Sequence, residues 1–214
     1  MIKKTLIFAA SVVMLAACSN DDDPVRENVI RRTVELGKTS VLPQGKNTCD
    51  NVFVGVIEQG ETSEIFVSKH LGTCMVVNDT HPDGRYRITV DGGTNPFTDL
   101  TLDFGMTEEA FVETYTRAEK VSDNPLTYSY EVSEDLVYTY TFVNGSYASV
   151  TTTFESDALG KDGDELLLEF MNARYAEDET AFGTWYNAYS ADKATVKATL
   201  QSDGDLWTLT VRAL

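Results

Sequence analysis

Val196-Lys197-Ala198-Thr199-Leu200-Gln201-Ser202-Asp203-Gly204-Asp205-Leu206-Trp207-Thr208-Leu209-Thr210-Val211 alternates apolar and polar residues on both sides of Asp203-Gly204. Period two marks a half-buried strand, and Asp-Gly between two such runs marks a hairpin. A two-residue turn at Asp203-Gly204 sets Leu200 opposite Trp207, Ala198 opposite Leu209 and Val196 opposite Val211. Lys197, Thr199, Thr208 and Thr210 then share the other face. The hairpin predicts an antiparallel sheet with one buried and one solvated face.

Working outward, a second turn falls at Asn144-Gly145. A two-residue loop there would mix polar and apolar side chains on both faces. A three-residue loop Val143-Asn144-Gly145, with Gly145 left-handed in a bulge, pairs Tyr140 with Ala148 and Tyr138 with Val150 and buries an aromatic face. Each hairpin follows a helical pattern. Thr107 is an N-cap, Glu108 and Glu109 suit the positive end of the dipole, and Phe111, Tyr115 and Ala118 share a face, predicting a helix of about residues 108 to 119. Asp164 caps a second helix of about residues 165 to 176, with Leu166, Leu167, Phe170, Met171 and Tyr175 on its apolar face. Thr107 and Asp164 are 57 residues apart and the two turns 59 apart, so residues 104–214 read as an α+β region with a duplicated α-β-β unit. This element order resembles the tandem domains of the β-lactamase inhibitory protein, which implies helices packed on a sheet and an inhibitor or assembly role; no motif residue carries over.

Residues 29–103 read as β-rich. Val52, Val54 and Val56 alternate with Phe53, Gly55 and Ile57, a pattern suited to a strand buried on both sides. Ile65-Phe66-Val67, Met75-Val76-Val77 and the alternating Tyr86, Ile88 and Val90 supply further strands. The fold class is α+β: a β-rich N-terminal part, then two helix-plus-hairpin units whose helices pack on an antiparallel sheet.

The N-terminus carries an address. Lys3 and Lys4 precede an apolar run, Leu6 to Leu15, too short to span a bilayer and ending in small residues, so residues 1–17 read as a signal peptide. Leu15-Ala16-Ala17-Cys18 resembles a bacterial lipobox, which implies lipidation of Cys18 and anchoring in the outer membrane. Ser19 followed by Asp21, Asp22 and Asp23 resembles the export signal of Bacteroidetes surface lipoproteins and implies display at the cell surface. Residues 18–28 form an acidic tether reaching about 30 Å when extended.

Loss of Lys3 and Lys4 with the signal leaves 15 basic residues against 34 acidic ones, a charge of −19. That surface repels nucleic acid and anionic headgroups. Cys49 and Cys74 form an even pair in an exported chain and predict a disulfide worth roughly 3 kcal/mol. His70, Cys74 and His81 offer a metal-site alternative, disfavoured because the neighbouring segment reads as strand. The Asp157, Asp162, Asp164 and Glu165 cluster lacks calcium-loop spacing, and nucleotide-binding, metallopeptidase and serine-hydrolase motifs are absent, so no cofactor is expected. Trp185, Tyr186 and Tyr189, beside Asn187, are the candidate ligand contacts, able to stack on sugars or anchor a protein. The expected function is a non-catalytic surface binding module for a glycan, peptide or protein. The alternatives are a small carboxylate-dependent hydrolase and a periplasm-facing inhibitor or assembly factor.

Overall fold

The computed structural model describes residues 29–80, 84–98 and 100–214. The signal, Cys18 and the acidic tether, together with His81, therefore lie outside the described residues. The N-terminal region is built from β1 (Val29–Glu35), β2 (Thr39–Val41), β3 (Asn47–Cys49), β4 (Gly55–Gln59), β5 (Glu64–Ser68), β6 (Gly72–Asn78) and β7 (Arg85–Asp91). One sheet runs β1-β7-β6-β3, with β1 parallel to β7 and the other pairs antiparallel. A second runs β2-β5-β4. Val34, Phe66, Val76, Ile88 and Val90 form the shared core. The expected strand from Val52 is corrected. Asn51 instead opens a turn, accepting from the Val54 N–H at its carbonyl (3.2 Å) and from the Phe53 N–H at Oδ1 (3.2 Å), and the strand begins at Gly55. A short apolar run does not distinguish a strand from a turn that tucks Phe53 and Val54 inward.

The C-terminal region opens with α1 (Glu108–Thr114), followed by β8 (Glu119–Asp123), β9 (Leu126–Ser133), β10 (Leu136–Val143) and β11 (Ser146–Glu155). After α2 (Gly163–Arg174) come β12 (Ala176–Glu177), β13 (Thr184–Tyr186), β14 (Val196–Asp203) and β15 (Leu206–Ala213). All eight strands join one antiparallel sheet in the order β12-β13-β14-β15-β11-β10-β9-β8. Each helix thus precedes four strands, and the two runs meet at their last members, β15 and β11. Cross-strand rows explain the core: Tyr128, Tyr140, Val150, Val211, Ala198 and Trp185 are successive partners on one face. The opposite face carries threonines, with Thr151 and Thr210 hydroxyls 3.1 Å apart and those of Thr153 and Thr208 3.2 Å apart.

Both helices keep their class and shift their ends. Thr107 caps α1 as expected, accepting from the Ala110 N–H (3.3 Å), but Tyr115 leaves the helix because Glu119 onward is recruited as an edge strand. At α2 the N-cap position is Asp162, without a side-chain cap bond, and Asp164 sits in the first turn. Among the described residues no helix is long and apolar enough to cross a membrane.

Candidate functional site

The three aromatic candidates separate. Trp185 lies on β13 opposite Ala198, is 4% exposed, and belongs to the core, where its indole N–H meets no acceptor among the described residues. Strand alternation turns Tyr186 to the other face, half-buried, with the Lys197 ammonium 5.8 Å from its ring centre. Tyr189 is 58% exposed and leans edge-on against Phe53 and His70, with ring centres 5.1 and 5.5 Å away. The candidate trio is therefore corrected to a pair: Tyr186 and Tyr189 line a cleft of about 540 Å³ with Glu177, Asp178 and Glu179.

His70 is structural. Its ring stacks on Phe53 at 4.0 Å and its Nδ1–H donates to the Phe53 carbonyl at 2.8 Å. Burial, opposed by that hydrogen bond, holds His70 below its usual range, so the folded chain prefers the neutral ring. The unfolded chain takes up the proton near the ordinary histidine value of about 6.5. This contribution to stability is therefore complete above about pH 6.5 and lost as pH falls through the lower folded value. The melting temperature is expected to fall between about pH 7 and about pH 5.5, and less so in a His70→Phe variant. Thermal denaturation across that window reads it.

One concavity carries no local signal in the sequence. It lies along the seam where α2 meets the N-terminal region. The Leu71 N–H donates to the Ala173 carbonyl (2.8 Å), and Arg174, over the Phe170 ring at 4.2 Å, donates to the Thr94 carbonyl (3.3 Å). The seam cleft holds about 650 Å³, and Leu36, Gly93 and Ala173, which converge beside one another, give it an apolar stretch of lining. Leu168, 49% exposed, adds apolar wall to it. Asp164, Glu165 and Glu169 stand on one side and Lys69 on the other. The Thr94 hydroxyl fixes Glu169 by donating to Oε2 at 2.7 Å. Three carboxylates against one ammonium favour a cationic guest with an apolar body.

Cys49 and Cys74 are adjacent free thiols, on β3 and β6. The Cys74 thiol donates toward Cys49 and lowers it to about 7, while the same bond and burial push Cys74 up. No cluster of three metal-ligating side chains forms among the described residues. Nor is any Asp or Glu buried among them. Glu108 and Asp178 are both held below the usual carboxylate range, Glu108 by the Tyr128 hydroxyl (2.6 Å) and then Lys120, Asp178 by Thr180. Comparisons with protein-family models, with curated proteins and with solved structures find no match.

Proposed function

We propose that this chain is a lipid-anchored protein of the outer membrane, held through Cys18 and displayed at the cell surface, and that it works as a binding module without catalysis. The seam cleft is the observation that carries the binding reading. Its apolar lining and three carboxylates suit an apolar peptide segment bearing a lysine or arginine, presented by a protein partner. The hydrolase alternative needs a desolvated carboxylic acid, and every Asp and Glu among the described residues is at least partly exposed. The repeat of one helix and four strands supports reading the C-terminal region as a duplicated unit.

The test is selection of a random heptapeptide library on the purified protein. Peptides pairing Lys or Arg with Leu or Phe are expected to be enriched. Leu168→Arg, a change at an exposed position, is expected to weaken the selected peptide by about tenfold or more. Enrichment without basic and apolar bias, or equal binding to the variant, would contradict the assignment.

The reading extends to the cysteines. Outside the cytoplasm the neighbouring thiols of Cys49 and Cys74 oxidise to a disulfide that closes a loop of about 25 residues, worth roughly 3 kcal/mol. Thiol titration of the exported protein is expected to find neither cysteine free. Dithiothreitol should lower its melting temperature by roughly 6–12 °C and leave a Cys49→Ser, Cys74→Ser double variant unmoved.

A further inference from the structure

The sheet β1-β7-β6-β3 turns one face to the N-terminal core and the other to solvent. Alternation sends Val34, Tyr86, Ile88, Cys74 and Val76 inward, so Arg31, Arg85, Arg87, Met75 and Val77 share the outer face. The register sets them in two adjoining rows: Val29, Arg85 and Val77 in one, Arg31, Arg87 and Met75 in the next. All three arginines are exposed, and Val77 is 40% exposed. A row of Thr33, Thr89 and Thr73 follows, and then Glu35 beside Asp91. The face is thus cationic and apolar at the end where β1 begins, and acidic at the other end. At the far edge of the second row the Asp50 carboxylate accepts from the Met75 N–H (2.8 Å). Like charges side by side on neighbouring strands destabilise a sheet, and among the described residues no ion pair relieves Arg31 or Arg87. A bound anion would remove that repulsion.

We infer that this face docks on the membrane that holds the chain, with its arginines on the phosphate groups of the lipid headgroups. The inference rests on the anchoring at Cys18 proposed above. Residues 18–28 reach about 30 Å when extended, and they lead into Val29, which pairs with Arg85 at the cationic end. The anchor therefore keeps that end of the sheet within reach of the bilayer. A guanidinium matches a phosphate through two parallel hydrogen bonds, and Val29, Met75 and Val77 suit the apolar boundary below the headgroups. The charge of −19 repels an anionic bilayer from the rest of the molecule, so the one cationic face decides which way the domain turns. The acidic tether also matches the arginines in charge, but Ser19-Asn20-Asp21-Asp22-Asp23 offers nothing to the three apolar side chains. From Val29 to Glu35 the strand β1 runs about 20 Å, and Leu36 follows in the seam cleft. Docking thus turns the seam cleft away from the bilayer and toward a partner.

The test reconstitutes the full-length lipidated protein into vesicles of phosphatidylcholine, alone or with about a third phosphatidylglycerol. Phenylglyoxal labels exposed arginines, hydroxyl radicals oxidise exposed methionine, and mass spectrometry reads each residue. Arg31 and Arg87 are expected to label about fivefold or more slowly on the anionic vesicles than on the neutral ones, and salt at about 0.5 M should restore the rate. Arg212, exposed on β15, is the control and should label equally on both. Met75 should be protected alongside the arginines. An Arg31→Gln, Arg87→Gln double variant should lose that protection while keeping at least the wild-type melting temperature, since both side chains are exposed and repel each other. Protein that floats with neither vesicle would overturn the anchoring and this inference together. Floating protein whose Arg31 and Arg87 label alike on both vesicles would overturn this inference alone. So would equal protection of Arg212, or protection in detergent that an Asp21→Ala, Asp22→Ala, Asp23→Ala variant abolishes, which would give the face to the tether.

Discussion

Replacing Phe111 with alanine is expected to destabilise the protein by about 3–5 kcal/mol. Phe111 is fully buried, and its ring is the hub of the aromatic core beneath α1. Tyr115 stacks on it at 4.8 Å, Tyr140 lies at 4.9 Å, Phe142 meets it edge-on at 5.3 Å, and Tyr128 lies at 5.5 Å. Two of these neighbours pack from cross-strand pairs: Tyr140 opposes Tyr128, and both belong to the buried row of the sheet. A helix of seven residues has little stability of its own, so this ring fastens α1 to the sheet. Truncation removes ring burial and leaves a cavity that stiff aromatic neighbours cannot fill. A drop in melting temperature of roughly 10–15 °C follows for a chain of this size. Val112→Ala, one residue along and on the exposed side of the helix, is expected to change it by no more than a degree or two.

Gly55→Ala is expected to cost about 2–3 kcal/mol although it adds one methyl group. Gly55 opens β4, and the Phe66 ring on β5 lies directly across its Cα. A Cβ at Gly55 would stand 2.1 Å from Phe66 Cζ and 2.4 Å from Cε2. Phe66 is fully buried and packed in the N-terminal core, so its ring has nowhere to go. The strain belongs to the pair. Gly55→Ala in a Phe66→Leu background should therefore cost less than the sum of the single changes, with a coupling of about 1 kcal/mol or more. Denaturant titration of the four proteins measures it, and simple additivity would place the cost elsewhere.

The inward faces were legible from residue alternation, and strand partners less so. In the C-terminal hairpin, Ala198, Leu200, Leu209 and Val211 all point inward as the alternation requires. Their partners are displaced by two residues: Leu200 faces Leu209 rather than Trp207, and Ala198 faces Val211. The turn is Gly204-Asp205, with Gly204 at its first position and φ 65°. A two-residue slip leaves both faces unchanged, so the hydrophobic pattern does not select between the two turns. In the middle hairpin the expected three-residue loop is replaced by a two-residue Asn144-Gly145 turn, both residues at positive φ. The extra residue sits inside β11, where a bulge between the Phe142–Tyr147 and Thr141–Ser149 pairs skips Ala148. That bulge buries both Tyr147 and Val150, whose odd spacing a regular strand would split between faces.

The site was less legible for a different reason. Trp185, Tyr186 and Tyr189 read as one patch because they lie within five residues of one another. Thr184–Tyr186 is a strand, which sends Trp185 and Tyr186 to opposite faces. The seam cleft joins Leu36, Lys69 and Gly93 to α2, and no local pattern encodes contacts across such distances in the chain. Thr94 and Glu169, 75 residues apart, meet only because the two regions dock.

The central claim, a binding module working outside the cell, is tested most directly by protease accessibility on intact cells against lysed ones. A variant with Ser19, Asn20 and Asp21 to Asp23 changed to alanine is run alongside. The account predicts that the wild-type chain is shaved from whole cells and that the variant is cut only after lysis. Protection of both in intact cells would contradict it, turning the domain toward the periplasm and making an inhibitor or assembly role the better reading.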